Sequence, residues 1–287
     1  MSLNVFYSTS ESYVQHFTVS AVSLLENNRD IDINLFVIHD GPAPPALHLA
    51  KMFLDETYQI DVKLLRFESD DLPDLNTDDY YGKYTLFRLY LADIAPADID
   101  QVLFLDVDTV ITGSLRELET SDLDTFAIAA VSEPAVAENT GRLSALGETL
   151  NGYFNAGVIQ ASLVRWRALG ITRSFLSICK KYGRKLIWVD QDVMNIGFAD
   201  QWLRLNEKYN GTHIQEKRMY QPVIVHYNTA SKPWHYVDTH PYKYLYWKYL
   251  RMTPFKGYRP TGVNLRNIVL RNGRLFKRLL RNHGLIK

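Results

Sequence analysis

The start of the chain alternates apolar runs with segments of helical spacing, and this alternation limits the possible folds more than any other feature. Residues 4–7, 31–38 and 60–67 are apolar runs of the length expected for buried strands. Residues 17–25 and 46–58, which lie between these runs, have the spacing of helices. This order predicts an α/β fold with a Rossmann-like, mostly parallel sheet flanked by helices. Ligands in such sheets bind beyond the carboxyl ends of the strands.

The same pattern continues further along the chain. Residues 102–105, 126–131 and 153–159 are apolar runs that predict further strands, and residues 84–91 and 174–182 predict helices. No internal repeat or low-complexity linker separates these segments. We therefore expect them to belong to a single sheet with its covering helices.

Composition narrows the class and the compartment. The chain is 46% hydrophobic and 22% charged, which excludes disordered and fibrous proteins, and we expect one domain over residues 1–250. No apolar stretch approaches the roughly 18 residues that span a bilayer, and the N-terminus lacks a basic region followed by an apolar one. The single cysteine, Cys179, cannot form an intramolecular disulfide. These features predict a cytoplasmic protein.

Residues 251–287 form a tail whose charge differs from that of the rest. The tail carries ten basic residues and no acidic ones, whereas the preceding 250 residues carry 22 basic and 32 acidic residues. Residues 264–281 predict a basic amphipathic helix, although Gly273 weakens it. The apolar residues near one face of this helix are Leu265, Ile268, Leu275 and Leu279. Such a helix can lie on an anionic membrane or pack on the acidic body.

Two aspartates follow a buried strand. Asp106 and Asp108 come directly after the apolar run 102–105. Side chains two apart on a strand face opposite ways, but where a strand gives way to a loop both carboxylates can converge on one divalent cation. Such hard oxygen ligands suit Mg²⁺ or Mn²⁺. Paired aspartates also cap helices, so the pair alone leaves both interpretations open.

A second polar segment follows the apolar residues 222–225. His226 ends this run, and Lys232 lies six residues later, before a proline and an indole. A neutral imidazole can complete a carboxylate metal site, and the compact charge of a lysine can hold a phosphate oxygen. Taken alone, a histidine in this position is more often one that is satisfied by an internal hydrogen bond than a metal ligand.

Two further segments carry polar groups that can contact a ligand. Asp190 and Asp192 can bind a sugar hydroxyl or cap a helix. In the segment 155–157, Gly157 lets a ligand approach the backbone closely, or marks an ordinary tight turn. The residues alone do not decide between these interpretations.

Together these segments resemble glycosyltransferase family 8, the retaining enzymes that include bacterial lipopolysaccharide galactosyl- and glucosyltransferases and the glycogenins. They occur in the family's order between about Asn4 and His235. The matching segments are Phe87-Arg88-Leu89, residues 102–108, residues 153–158, residues 189–192 with Asn195, and His226-Tyr227 with residues 232–235.

The resemblance implies a single α/β domain of the GT-A type, a donor that is UDP-glucose or UDP-galactose, and Mn²⁺ as cofactor, with Mg²⁺ as the alternative. The implied metal ligands are Asp106, Asp108 and His226. The residues implied to surround the donor are Ser8, Thr9, Arg88, Asp106, Val107, Asp108, Glu133, Asn155, Ala156, Gly157, Asp190, Gln191 and Lys232. Asp190 and Gln191 are the implied catalytic residues.

The chain departs from the family pattern at two places. Thr229 stands where the family has a glycine between the histidine and the lysine. The first loop reads Ser8-Thr9-Ser10-Glu11 where the family has an Asp/Asn pair near the nucleotide. The hydroxyls of this loop can hydrogen-bond uracil or ribose.

The resemblance also implies a mechanism. Mn²⁺ bridging both phosphates, with Lys232 beside them, stabilises the charge that accumulates on the diphosphate. Retention of configuration needs a covalent intermediate or attack on the face that the leaving group vacates. Gln191 is a poor nucleophile, so we favour same-face attack, while Asp190 and Asp192 remain possible nucleophiles. The expected acceptor is a saccharide, in particular a lipid-linked bacterial surface glycan such as lipopolysaccharide.

Two other functions stay open. Residues 103–110 also resemble the first motif of haloacid-dehalogenase-type phosphatases, although that motif normally lies close to the start of its fold. The chain can also be a catalytically silent sugar-nucleotide binder held at a membrane. If the basic tail binds an anionic membrane, we expect the protein to lie on the inner face of the cell membrane, whether it is a glycosyltransferase or a silent binder. No nucleic-acid partner is expected, because the acidic body repels phosphates.

Overall fold

The computed structural model describes residues 2–68, 72–75, 77, 82–119, 123, 125–133, 135–199, 201–212, 222–282 and 285. Nine strands lie within these residues. They are β1 (Leu3–Ser8), β2 (Ile33–Asp40), β3 (Lys63–Phe67), β4 (Gln101–Leu105), β5 (Thr109–Ile111), β6 (Ile128–Ser132), β7 (Phe154–Ser162), β8 (Leu203–Arg204) and β9 (Ile224–His226).

Ten α-helices lie within the same residues. They are α1 (Val14–Asn27), α2 (Pro45–Tyr58), α3 (Leu91–Ile94), α4 (Arg116–Glu119), α5 (Val136–Ser144), α6 (Leu163–Leu169), α7 (Ile171–Tyr182), α8 (Val189–Phe198), α9 (Lys243–Leu250) and α10 (Leu265–Asn282). Short 3₁₀ helices occupy Glu11–Tyr13, Lys83–Tyr90, Gly183–Lys185 and Glu207–Tyr209. The segment predicted as a helix at 84–91 is therefore mostly 3₁₀.

Seven of the strands form one sheet in the order β3-β2-β1-β4-β7-β6-β8. The pairs β3/β2, β2/β1, β1/β4 and β6/β8 are parallel, while β7 runs antiparallel to both of its neighbours. The prediction of a mostly parallel sheet flanked by helices is confirmed. The reversal at β7 matters for the site, because it brings the first residues of β7 to the edge where β1 and β4 end.

The sheet is buried on both faces, which explains why its central strands read as continuous apolar runs. On one face, Phe6 and Phe104 pack with residues of α6 to α8 in one apolar cluster. On the other face, Val5 and Leu103 pack with residues of α1, α2 and α9 in a second cluster. Alternate side chains of each strand thus enter different cores.

The strands β5 and β9 form a small separate sheet that follows the turn after β4. They pair antiparallel, and Thr109 lies opposite His226. Thr109 is anchored by its hydroxyl, which donates to the carbonyl of Asp106 at 2.7 Å. This pairing brings a histidine far along the chain next to the two aspartates after β4.

The C-terminal part of the chain packs on the body before it reaches α10. The Tyr246 hydroxyl of α9 lies 2.7 Å from Nδ1 of His16, and Thr261 exchanges backbone hydrogen bonds with Trp234 and Tyr236. Along α10, Arg278 donates to the carbonyl of Thr239 at 2.6 Å. Within the described part of the chain, no helix combines the length and the apolar character that crossing a membrane requires.

Candidate active site

A cavity of about 1150 Å³ opens at the carboxyl ends of β1 and β4. Every residue that the sequence predicted for the metal or the donor lines it. These residues are Ser8, Thr9, Arg88, Asp106, Val107, Asp108, Glu133, Asn155, Ala156, Gly157, Asp190, Gln191, His226 and Lys232. The cavity lies where ligands of parallel α/β sheets bind.

Asp106 and Asp108 lie in the turn between β4 and β5, and His226 ends β9 beside them. Nε2 of His226 is 3.3 Å from Oδ1 of Asp108 and 3.7 Å from Oδ2 of Asp106. One possible ligand atom from each of the three residues lies within 4.8 Å of the others. The turn has therefore brought both carboxylates to one side, as a shared cation requires.

Gly157 of β7 explains how closely these groups approach the sheet. A Cβ atom at this position would lie 2.2 Å from Cε1 of His226 and 2.7 Å from Oδ2 of Asp106. The side chains of the protein itself therefore occupy the space that the glycine leaves free. Any larger residue would displace the histidine or the aspartate.

Lys232 and His226 lie next to different carboxylate oxygens of Asp108. Its ammonium group donates to Oδ2 of Asp108 at 2.6 Å and to the carbonyl of Tyr227 at 2.8 Å. Burial disfavours the ionised form of Asp108, but the ammonium charge of Lys232 is the largest opposing effect, and the pKa of Asp108 lies well below the ordinary value. Asp108 is thus kept as a carboxylate.

Arg88 connects the aspartates of the β4 turn to those of α8. Its guanidinium lies 2.5 Å from Oδ1 of Asp106, 3.0 Å from Oδ2 of Asp190 and 2.5 Å from the carbonyl of Ala156. The side chain is buried and stacks over Phe104, with 4.7 Å between the guanidinium carbon and the ring centre. Burial opposes its charge, but Asp106 and Asp190 hold its pKa above the ordinary value.

The acidic segment at the start of α8 divides its side chains between the cavity and the interior. Asp190 faces Arg88, and Oε1 of Gln191 accepts the N–H of Ala156 at 3.0 Å. Asp192 is fully buried and accepts bonds from Arg142 at 2.6 and 2.9 Å and from the Tyr153 hydroxyl at 2.6 Å. Of the two aspartates, only Asp190 lines the cavity.

Asp190 is a carboxyl group of the site whose pKa is raised. Burial raises its pKa to about 6, Arg88 acts in the opposite direction, and the charge of Asp106 adds to the increase. A carboxyl group with this pKa beside a cavity is a candidate functional group.

Glu133 and Asn155 form the remaining predicted part of the wall. Nδ2 of Asn155 donates to Oε2 of Glu133 at 2.9 Å, and Oδ1 of Asn155 accepts the N–H of Gly157 at 3.0 Å. In the first loop, after β1, Ser8 donates to the carbonyl of Tyr84 at 3.0 Å, and Thr9 donates to the carbonyl of Ser10 at 3.1 Å.

The chemistry of the three-residue cluster fits a hard divalent cation. Two carboxylates and one imidazole supply oxygen and nitrogen ligands of the kind that Mn²⁺ accepts, and two negative charges offset a doubly charged ion. Nε2 of His226 faces both carboxylates, while its Nδ1 lies 2.8 Å from Oδ1 of Asn210. Such a hydrogen bond on the other ring nitrogen is typical of metal-ligating histidines.

Sequence reasoning missed several residues of the site. Tyr13, Thr85 and Trp188 line the cavity, and Asn210 contacts His226 from behind. Thr85 and Trp188 lie next to segments that were identified, so proximity was an available signal. Asn210 lies next to a 3₁₀ turn far from any recognised segment and had no such signal.

The model of glycosyl transferase family 8 matches residues 4–238. The chain therefore belongs to this family of glycosyltransferases. The lipopolysaccharide 1,2-glucosyltransferase of Escherichia coli K12 is 29% identical over 303 residues, covering 99% of this chain and 87% of that protein. The lipopolysaccharide 1,3-galactosyltransferase of Salmonella typhimurium is 28% identical over 202 residues, covering 66% and 60%.

Solved structures show the same architecture. A structure of the galactosyltransferase LgtC in complex with donor and acceptor sugar analogues has a TM-score of 0.79 and is 22% identical. The match covers 92% of this chain and 98% of that one. At this identity the likeness concerns the fold alone.

Proposed function

We propose that the protein transfers a hexose, glucose or galactose, from a UDP-sugar to a saccharide acceptor with retention of configuration. The observation that carries this proposal is the convergence of Asp106, Asp108 and His226, with Lys232 beside them, at one edge of the cavity. The relatives named as glucosyl- and galactosyltransferases support the choice of a hexose.

Asp106, Asp108 and His226 would hold the cofactor, Mn²⁺ or in its place Mg²⁺. When bound, the cation supplies a Lewis acid for the diphosphate oxygens of the donor. Arg88 holds Asp106 from the side opposite the histidine, and Gly157 allows the set to lie against β7. These contacts keep the three ligands in place before the donor arrives.

The lysine and the wall residues act on the donor directly. Lys232 is 2.6 Å from Asp108, so its ammonium group lies where it can contact a diphosphate oxygen and stabilise the leaving UDP. Ser8 and Thr9, at the end of β1, are positioned for the nucleoside. Glu133, Asn155, Asp190 and the backbone of 155–157 surround the space left for the hexose.

Same-face attack is the mechanism that these contacts support best. Oε1 of Gln191 accepts the N–H of Ala156, and Asp190 is paired with Arg88, so neither side chain is an unengaged nucleophile. In this mechanism the bond between the anomeric carbon and the UDP oxygen breaks, and the acceptor hydroxyl oxygen bonds to that carbon on the same face. A phosphate oxygen of the leaving UDP takes the hydroxyl proton. Asp190 and Gln191 then position the sugar.

A UDP-sugar panel tests the function. Purified protein is incubated with Mn²⁺ and each of UDP-glucose, UDP-galactose and other UDP-sugars, and UDP release is followed with and without a chelator. We expect release from one of the two hexose donors and its loss on chelation. Asp61→Asn is a matched control, since Asp61 is exposed and lies before β3, away from the cavity.

The same assay separates the alternatives. Turnover that is unchanged by chelation contradicts the metal assignment. Phosphate release from sugar phosphates, with no UDP from any donor, favours phosphatase chemistry. UDP-sugar binding without hydrolysis or transfer to any saccharide favours a silent binder.

We also propose that residues 1–250 are the catalytic module and that residues 251–287 hold it at the inner face of the cell membrane, near a lipid-linked glycan acceptor such as lipopolysaccharide. Large apolar side chains of α10 are exposed to solvent, including Leu265 at 82%, Val269 at 70% and Phe276 at 60%. Basic residues flank them, and each cation near an anionic surface contributes about 1 kcal/mol.

Liposome sedimentation tests the tail. Thr261 pairs with the body, so the truncation is placed after Gly262 to leave the body intact. We expect the full chain to sediment with vesicles of anionic lipid and the truncated chain to stay in solution. Equal sedimentation of the full and truncated chains would contradict the proposed role of the tail. As a control, both chains should release UDP at the same rate.

A further inference from the structure

His226 is the end of a chain of four buried polar side chains. Glu133 contacts Asn155, Asn155 contacts Asn210, and Asn210 contacts Nδ1 of His226. The three distances are 2.9, 2.9 and 2.8 Å. Each of the four residues is at least 93% buried, so the groups rely on one another for hydrogen bonds.

The direction of every hydrogen bond in this chain is determined by one backbone amide. The N–H of Gly157 can only donate, and it lies 3.0 Å from the side chain of Asn155, so the atom there is the carbonyl oxygen. The same oxygen faces Asn210, which must therefore present its NH₂ group. The other end of Asn155 agrees, because its NH₂ group faces the carboxylate of Glu133.

The orientation of Asn210 determines which ring nitrogen of His226 carries a proton. Since the NH₂ group of Asn210 is directed to Asn155, its carbonyl oxygen faces Nδ1 of His226, and Nδ1 must carry a proton. A neutral imidazole has one N–H, so Nε2 keeps its lone pair. Nε2 is the nitrogen that faces Asp106 and Asp108.

We propose that Asn210 is a positioning residue that holds His226 in the Nδ1-protonated tautomer, with the lone pair of Nε2 directed at the two aspartates. The effect of this tautomer on cation binding rests on the proposed function. The tautomer follows from the hydrogen bonds alone. Asn210 does not line the cavity, so it acts through the side chains that it contacts rather than on a bound ligand. The chain also ties the histidine to Asn155 and Glu133, in the wall proposed for the sugar.

The tautomer is read without any metal. Long-range ¹H–¹⁵N correlation spectra of ¹⁵N-labelled full-length protein are recorded at pH 8 in chelator, and the His226 signals are assigned by their loss in His226→Gln. We expect the wild type to carry its proton on Nδ1. In Asn210→Ala we expect a shift toward Nε2 protonation, because the acceptor for Nδ1–H is gone. Asn210→Asp retains an acceptor oxygen and should restore the wild-type tautomer.

A second readout is the binding of Mn²⁺ alone, followed by electron paramagnetic resonance of the free ion. Loss of such a supporting hydrogen bond typically costs about 10–100-fold in metal affinity, and we expect that decrease for Asn210→Ala. Asn206→Ala is the matched control, because Asn206 is exposed and caps the 3₁₀ turn next to Asn210. It should leave both the tautomer and the affinity unchanged.

The outcomes separate this proposal from the proposed function. A proton on Nε2 in the wild type, or the same tautomer and the same Mn²⁺ affinity in Asn210→Ala, overturns the role of Asn210. If the tautomer behaves as expected but the wild type binds no Mn²⁺, Asn210 keeps its role and the metal assignment fails.

Discussion

Two segments with the pattern Asp-x-Asp lie at the cavity wall, and their side chains have different surroundings. Asp106 and Asp108 both face the cavity and converge on His226. Asp190 faces the cavity, but Asp192 points into the core, where Arg142 and Tyr153 bind it.

The difference arises from the backbone that carries each pair. Asp190 and Asp192 lie on α8, where residues two apart are rotated by about 200° and project from opposite sides of the helix. Asp106 and Asp108 lie in a turn, where the chain changes direction between them. The same spacing therefore brings two possible metal ligands together in one place. In the other place it gives one aspartate that lines the cavity and one that is bound in the core.

The largest effect is expected at the turn. Asp106→Asn or Asp108→Asn removes a charged ligand of the proposed cation, and we expect kcat/KM for UDP release to fall on the order of 10⁴-fold, equivalent to about 5.4 kcal/mol. Chelation of the wild type should have a comparable effect. Steady-state kinetics across a Mn²⁺ titration measure it, with Asp61→Asn as the control, and an effect under tenfold would contradict the ligand assignment.

Substitution of Asp192 is expected to lower the free energy of unfolding, in contrast to substitution of Asp106 or Asp108, which is expected to lower activity. Asp192→Asn removes the buried charge that pairs with Arg142. It also replaces one of the two acceptor oxygens with an NH₂ group, so some of the donors from Arg142, the Tyr153 hydroxyl and the Ile187 and Trp188 amides lose their acceptor. Breaking a buried pair in this way costs about 3–5 kcal/mol, and urea denaturation measures that loss directly. A double-mutant cycle with Arg142→Ala separates the pair from its surroundings. If Asp192→Asn loses activity but no stability, the contrast between the two segments is wrong.

The two Asp-x-Asp segments differ in how much of their role the sequence could predict. Asp106 and Asp108 were predictable because they directly follow the apolar run 102–105 of β4, where two carboxylates stand out. His226 was predictable for the same reason. The division of roles between Asp190 and Asp192 was not, because it depends on where α8 begins and on an arginine nearly 50 residues away.

Other parts of the fold and site depend on tertiary contacts that no local pattern reports. The reversed direction of β7 follows from how the chain crosses the sheet, which its apolar run does not encode. Arg88 was expected to surround the donor, and it lines the cavity, but the sequence did not indicate that its nitrogens bind Asp106, Asp190 and Ala156. Asn210 is recognisable only when its distance to His226 is known.

The raised pKa of Asp190 predicts that the free energy of unfolding depends on pH. Burial raises its pKa from 3.8 to about 6, so the native state binds this proton more tightly than the unfolded state. Its contribution is fully present below pH 3.8 and is lost as the pH rises through about 6. In chelator, the unfolding free energy of the wild type relative to Asp190→Asn should therefore fall by about 3 kcal/mol between pH 3.5 and 7.

That measurement has a clear counter-result. A relative stability that rises with pH over this range would mean that the pairing with Arg88 outweighs burial, and that Asp190 is ionised throughout. Turnover of the same variant addresses the mechanism, since near-normal kcat would exclude Asp190 as a nucleophile.

The smallest effect is expected at Gln191, the residue between the two aspartates of α8. Gln191→Ala leaves the N–H of Ala156 without its acceptor, which costs about 1–3 kcal/mol. The carbonyl of Ala156 binds Arg88, so the change should also move Arg88 slightly and lower kcat about tenfold. A positioning amide predicts this modest loss because it takes part in no bond that forms or breaks. A loss as large as that of Asp106→Asn would instead make Gln191 a reacting group and would favour double displacement over same-face attack.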